Sequence, residues 1–179
     1  MPKYLSEQDY NNLMTDRKAG NIDIEISKEV ARQFFTHLSR HNIEQKIGRS
    51  VTLKKLLILL FALAAPAVFA CYMYSVYAHY DATAASFIIP ASGIFWIVVY
   101  GFTSNQGGWL IGTIPLVAAA LLVFTTELKL AEPLTLLLLS LWLQRSTYLL
   151  ATFWLKDIIS QSYAAFEELV EHIQIISTP

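Results

Sequence analysis

One residue able to do chemistry stands where a charge is costly. Arg145 lies beside Gln144 in the middle of an apolar run from Leu134 to Leu155. At the centre of a membrane helix an arginine costs about 2.5–3.5 kcal/mol on insertion scales, so it is expected to face a bundle interior. Leu155, at the end of the run, is ten residues away, or roughly 15 Å along a helix. A snorkelling side chain falls short of that distance. With no Asp or Glu at that depth, the acceptors must be dipoles. Pro66 removes the helical donor of the Ala62 carbonyl, and Ser92 falls level with Arg145 in another apolar run. The expected cluster is Arg145, Gln144, Ser92 and the Ala62 carbonyl. As a working site it would bind or pass an anionic group. As a structural one it would clasp helices or meet an acidic residue of another protein.

His37 and His41 are one helical turn apart, with Glu44 near the same face. Such an i, i+4 pair can present two imidazoles to zinc. The zinc-protease arrangement needs a glutamate directly after the first histidine, and Leu38 occupies that place. His37, His41 and Glu44 are therefore expected as surface or helix-pair residues, with no metal. Cys71 is the single cysteine and lies inside an apolar run. Neither an internal disulfide nor a metal cluster can form around it, and a small apolar filler is the plainer reading. The sequence holds no nucleophile elbow, glycine-rich phosphate loop or paired intramembrane carboxylates. A non-enzymatic chain without a cofactor is the expectation.

The elements that must position these residues follow from charge placement. The chain is 55% hydrophobic and 15% charged, against about 25% charged in a soluble domain. The deficit is local. Of 13 Lys and Arg, 10 lie in residues 1–55. Between Leu56 and Leu155 the strongly charged residues are Asp81, Glu127, Lys129, Glu132 and Arg145. The total of −1 hides a basic front, an apolar middle and an acidic tail. Nucleic-acid binding, which uses a basic stripe on a polar scaffold, is not expected.

The fold class expected is all-α, a polytopic membrane helix bundle with about four transmembrane helices. Spans are placed at about 53–78, 83–102, 109–128 and 134–155 within a domain covering 51–155. Pro66, Pro90 and Pro115 fall one to each of the first three spans, as in kinked membrane helices. Gly108 and Gly112 form a small-xxx-small pattern that permits close helix approach. Lys46, Arg49, Lys54 and Lys55 precede the first span, and the turn after it has no Lys or Arg. The positive-inside bias then places the N-terminus in the cytoplasm. Four crossings return the C-terminus there, where Lys156 agrees; three crossings would leave the acidic tail outside. A polar segment precedes the first apolar run, which is expected to act as an uncleaved insertion signal. The expected location is the inner (plasma) membrane, multi-pass, in contact with lipid.

Residues 1–50 read as a cytoplasmic segment of amphipathic helices. Ser6 with Asp9 is a capping-box variant, and Gly20 offers a left-handed stop. Asn21 to Ile26 alternates polar and apolar, the period of a strand. Lacking an obvious second strand, it is expected as an extended stretch that docks its isoleucines. Ser27 precedes a second helix carrying Phe34 and Leu38 on its apolar stripe.

Residues 156–179 continue the last span as an acidic helix. From Leu134 to Thr178 there is neither Gly nor Pro, so one helix is expected across 134–176, roughly 60 Å long. Tyr163, Phe166, Val170 and Ile173 form its seam. Residues 27–49 carry Lys28, Arg32, Arg40, Lys46 and Arg49 against Glu29 and Glu44, a net of +3. Residues 156–179 carry Lys156 against Asp157, Glu167, Glu168 and Glu171, a net of −3. The stripes of Phe34 and Leu38 and of Tyr163, Phe166, Val170 and Ile173 would either pair with each other or dock a partner.

The stretch from Leu13 through Lys18-Ala19-Gly20-Asn21-Ile22-Asp23-Ile24 resembles the helix, glycine and Ile-x-Ile segment of inner-membrane entry-exclusion proteins of conjugative plasmids. Small size, a polar N-terminal segment and several spans add to the likeness. The resemblance implies a non-enzymatic role in blocking DNA uptake from a like donor cell. Bacteriocin immunity proteins share the layout. The leading expectation is a membrane protein acting through protein–protein recognition, as an exclusion, immunity or secretion/conjugation accessory factor. Its partner would be a membrane or cytoplasmic protein, or a second copy of the chain. The competing expectation is a small oligomeric transporter or channel that uses Arg145.

Overall fold

The computed structural model describes residues 6–36, 49–103, 110–125 and 130–177. Helices dominate. They are α1 (Glu7–Lys18), α2 (Lys28–Thr36), α3 (Arg49–His79), α4 (Ala82–Thr103), α5 (Leu110–Thr125), α6 (Ala131–Gln161) and α7 (Tyr163–Leu169). Two short strands, β1 (Ile22–Ile26) and β2 (Ile173–Ser177), pair antiparallel with Ile22 opposite Ser177 and Ile26 opposite Ile173.

The chain divides into two compact units. The first combines Met1–Ile58 with Leu150–Pro179, and the second is Leu59–Leu149. The two ends of the chain, expected as separate segments, thus build one unit. Tyr10, Met14, Ile24, Phe35, Ile159 and Phe166 belong to one buried core, which also takes in Val51 and Ile58 of α3. The local signals hold at its start. Ser6 and Asp9 form a full capping box on α1, and Gly20 turns the chain at φ +82°, a conformation glycine adopts without a Cβ penalty.

Two expectations are corrected in this unit. The alternation over Asn21–Ile26 is a true strand, because its partner lies at the far end of the chain. Ile24 and Ile26 point inward while Asp23 and Glu25 face out. The uninterrupted C-terminal helix is absent. α6 stops at Gln161, and Ser162 adopts φ −137°, ψ 115° and accepts from the Ala165 N–H to cap α7. A 3₁₀ turn over Val170–His172 then leads into β2. Ile173 and Ile175 satisfy the strand period as readily as Ile173 satisfies a helical seam. The pairing with β1 decides between them, because it satisfies the backbone of both strands at once.

The second unit has the opposite distribution of side chains. Leu63, Phe87, Ile94, Ile97 and Ile114 are exposed, and Phe124 is 87% exposed. Ser75, Ser140, Gln144, Arg145, Ser146 and Thr147 are buried. Two helical stretches, Val51–His79 and Ala131–Gln161, are long and apolar enough to cross a membrane; Ala82–Val98 and Thr113–Thr125 are apolar but shorter. Cys71 is exposed on α3.

Candidate functional site

In the second unit α6 meets each of the other three helices through a polar contact. The Ser140 hydroxyl donates to the Ala65 carbonyl of α3 at 2.8 Å. Trp96 of α4 donates its indole N–H to the Ser140 Oγ at 2.9 Å. Trp142 of α6 donates likewise to the Thr113 Oγ1 of α5 at 3.0 Å. Ser140, Gln144 and Thr147 recur at spacings of four and three, so they share one face of α6. Sequence reading found Gln144 and passed over Ser140, although the same period marks both.

Arg145 and Gln144 are where the sequence led one to expect, 6% and 3% exposed. Ser92 donates to the Ile89 carbonyl on its own helix at 2.9 Å, which is the local bond serine makes readily inside a helix. Ser140 of α6 engages the carbonyl of Ala65, one turn beyond Ala62. Ala65 and Ser140 are both fully buried and small, which lets the two helices approach closely there. Ala62 itself is half-buried. The Gln144 Nε2 and Ser146 Oγ are buried with no hydrogen-bond partner among the described residues.

A second polar contact of this unit joins the end of α3 to the start of α6. Ser75 Oγ donates to Glu132 at 3.1 Å, and His79 Nδ1 donates to the Ser75 carbonyl at 2.8 Å. His79 Nε2 lies 3.6 Å from Glu132, an ion pair whenever the imidazole is protonated.

The docking stripe is occupied by the chain itself. Phe34, Phe166 and Ile173 are buried in the first unit's core, and Tyr163 and Val170 pack against that core. Tyr10 lies between the Phe166 ring, centroids 5.3 Å apart, and the Tyr163 ring at 5.5 Å. Its hydroxyl donates to the Ile159 carbonyl at 2.8 Å. That carbonyl lies in the last turn of α6, where no helical N–H remains to meet it. Burial raises the Tyr10 hydroxyl pKa, with the charge of Arg17 opposing. Leu38, His37, His41 and Glu44 lie outside the described residues.

Charges on this unit form a linked set. Lys156 reaches Asp23 at 3.0 Å, and Arg17 approaches the other Asp23 oxygen at 3.9 Å. Arg17 also donates to the Lys156 carbonyl at 3.3 Å, and Lys54 pairs with Asp157 at 2.7 Å. Partial burial pushes the Asp23 carboxyl up, but the Lys156 hydrogen bond, the Ile24 N–H and the charges of Lys156 and Arg17 outweigh it and hold the group below its ordinary value. None of these pairs was legible in the sequence, since each joins residues over a hundred positions apart except Arg17 with Asp23. No protein-family model matches the chain, and no curated protein or solved structure shows significant similarity to it.

Proposed function

We propose that the chain is a four-span inner-membrane protein with both ends in the cytoplasm, acting without catalysis by recognising another protein. The observation that carries this reading is the contrast between its two units. The first has an apolar core with ion pairs at its surface, and exposes large apolar side chains mainly on α3 and α6, at Leu53, Leu56, Leu57 and Phe153. The second buries an arginine and exposes phenylalanine and leucine, a distribution that is stable only where the surroundings are apolar. Stretches 83–102 and 109–128 are the two further crossings.

A water-stable unit made from both chain ends, anchored by apolar helices, suits a protein that presents a surface to a partner. Entry-exclusion and immunity proteins share the small size, polar N-terminal segment and several spans, and exclusion is the role we favour. Reporter fusions after Ser177 should be active only in the cytoplasm; activity on the outer face would remove the four-span reading. Recipient cells expressing the chain should take up a like plasmid less often and an unlike one normally. Photo-crosslinkers at Gln8 and Glu168, both exposed, should join the chain to a single protein of the transfer apparatus. Unchanged uptake together with no crosslink would defeat the recognition reading.

The second reading is passage of an anion past Arg145. It is favoured by the unmatched buried donors of Gln144 and Ser146 beside that cation. Arg145→Gln should abolish anion flux in reconstituted vesicles while expression persists; wild-type vesicles that pass no anion would dismiss it.

A further inference from the structure

A groove of about 510 Å³ in the first unit lies between α1 and the last turns of α6. Met14, Arg17 and Lys18 line it from α1; Phe153, Lys156 and Gln161 do so from α6. We propose that this groove holds the phosphate headgroup of an anionic phospholipid.

Charge, depth and preorganisation carry the assignment. Arg17, Lys18 and Lys156 of the lining are set against Asp157, which also lines the groove, and Lys54 and Asp23 pair with them from outside it. Asp157 is engaged by Lys54 and by the Gln161 amide, each at 2.7 Å. Asp23 is shared by Lys156 and Arg17. Two positive charges remain in surplus, and Lys18 is exposed with no ionic partner among the described residues. The groove is also graded along its length. Phe153, 68% exposed, and Lys156 are one turn apart on α6, with Gln161 a further turn and a half on. The eight steps from Phe153 to Gln161 rise roughly 12 Å, the scale of the passage from acyl chain to headgroup. Met14 lies one turn from Lys18 on α1, so both helices place an apolar side chain and a cation along the groove. Arg17 is already fixed by its bond to the Lys156 carbonyl, which lowers the entropy lost when an anion binds.

A free phosphate would use the cations and leave Phe153 idle. An acidic peptide from the cytoplasm would not reach the depth of Phe153. A lipid uses both ends of the groove, and cytoplasmic leaflets supply anionic headgroups at this level.

The inference rests on α6 crossing the membrane as proposed above. Full-length protein is placed in nanodiscs of phosphatidylglycerol and phosphatidylcholine in equal amounts, and the lipids it retains on release are weighed by native mass spectrometry. Enrichment of phosphatidylglycerol is expected. One cation near a membrane surface is worth about fivefold in binding, so Lys18→Glu, a change of two charges, should cut the enrichment about 25-fold. Lys18→Arg should restore it. Equal enrichment in Lys18→Glu and wild type overturns the proposal. Displacement of the lipid by excess inorganic phosphate assigns the groove to a free anion and overturns the lipid source. Indifference to phosphatidylglycerol with binding of a polyglutamate peptide overturns it in favour of a protein partner. Failure to enter nanodiscs at all is the distinct result that removes the membrane reading instead.

Discussion

Replacing Tyr10 by Phe should loosen the first unit while leaving its shape intact. The change removes one oxygen atom. The ring keeps its contacts with Phe166 and Tyr163, so packing area is nearly conserved. What is lost is the 2.8 Å donation to the Ile159 carbonyl, in a buried setting. That carbonyl is in the final turn of α6, and the next helix restarts at Tyr163 under its own cap, so no backbone N–H is in line to replace the hydroxyl. A buried acceptor stripped of its donor costs about 1–3 kcal/mol. Opening of the unit should therefore become roughly five- to 150-fold more frequent. Hydrogen exchange reads this directly, because the β1 and β2 amides are released only when the two chain ends separate. Exchange at Glu25 and Gln174, which face each other across the two strands, should accelerate by that factor in Tyr10→Phe, with amides in the middle of α6 unchanged. Tyr10→Ala should do more, since truncating a buried aromatic costs about 3–5 kcal/mol. Exchange at both strand amides equal to wild type in Tyr10→Phe would refute the idea that this hydroxyl terminates α6.

Three further outcomes are expected. Ser140→Ala removes both the donation to Ala65 and the acceptor of the Trp96 indole; hydrogen bonds between membrane helices average about 0.6 kcal/mol with a maximum near 1.7, so a loss of about 1–2 kcal/mol in a detergent unfolding titration is expected. Ser162→Ala deletes the α7 cap, whose hydrogen bond is long at 3.4 Å; the cost should fall at the low end of the usual 0.5–2 kcal/mol, read as faster exchange in the first turn of α7. Asp23 has its pKa lowered in the folded state, so its stabilisation is complete above the ordinary carboxylate value of about 3.9 and fades as pH falls through the lower folded one. The carboxylate is half exposed and worth under about 1 kcal/mol; Asp23→Asn should flatten this part of the acid-unfolding profile, and an unchanged profile would show that Asp23 does not contribute.

The sequence by itself determined everything that depends on neighbours along the chain. The Ser6–Asp9 capping box and the glycine at Gly20 each need a few consecutive residues, and both stand as read. The long apolar stretches on α3 and α6 follow from composition alone. Arg145 could be placed inside the helical unit because a charge in such a stretch has no cheaper place to go.

Tertiary structure decided what depends on residues far apart. Ile22–Ile26 is a strand only because Ile173–Ser177 comes alongside it, and no local signal names a partner some 150 residues on. The tail reads as one helix until that pairing claims its end, since Ile, Val and Phe at spacings of three and four do not exclude a break at Ser162. Phe34, Phe166 and Ile173 read equally as stripes that pair with each other or as surface for a partner, because a stripe on one helix does not reveal which surface will cover it. The meeting of Ser140 with the Ala65 carbonyl was hidden for the same reason: helical period fixes which residues share a face, whereas the height at which two faces meet is set by where small side chains let them approach.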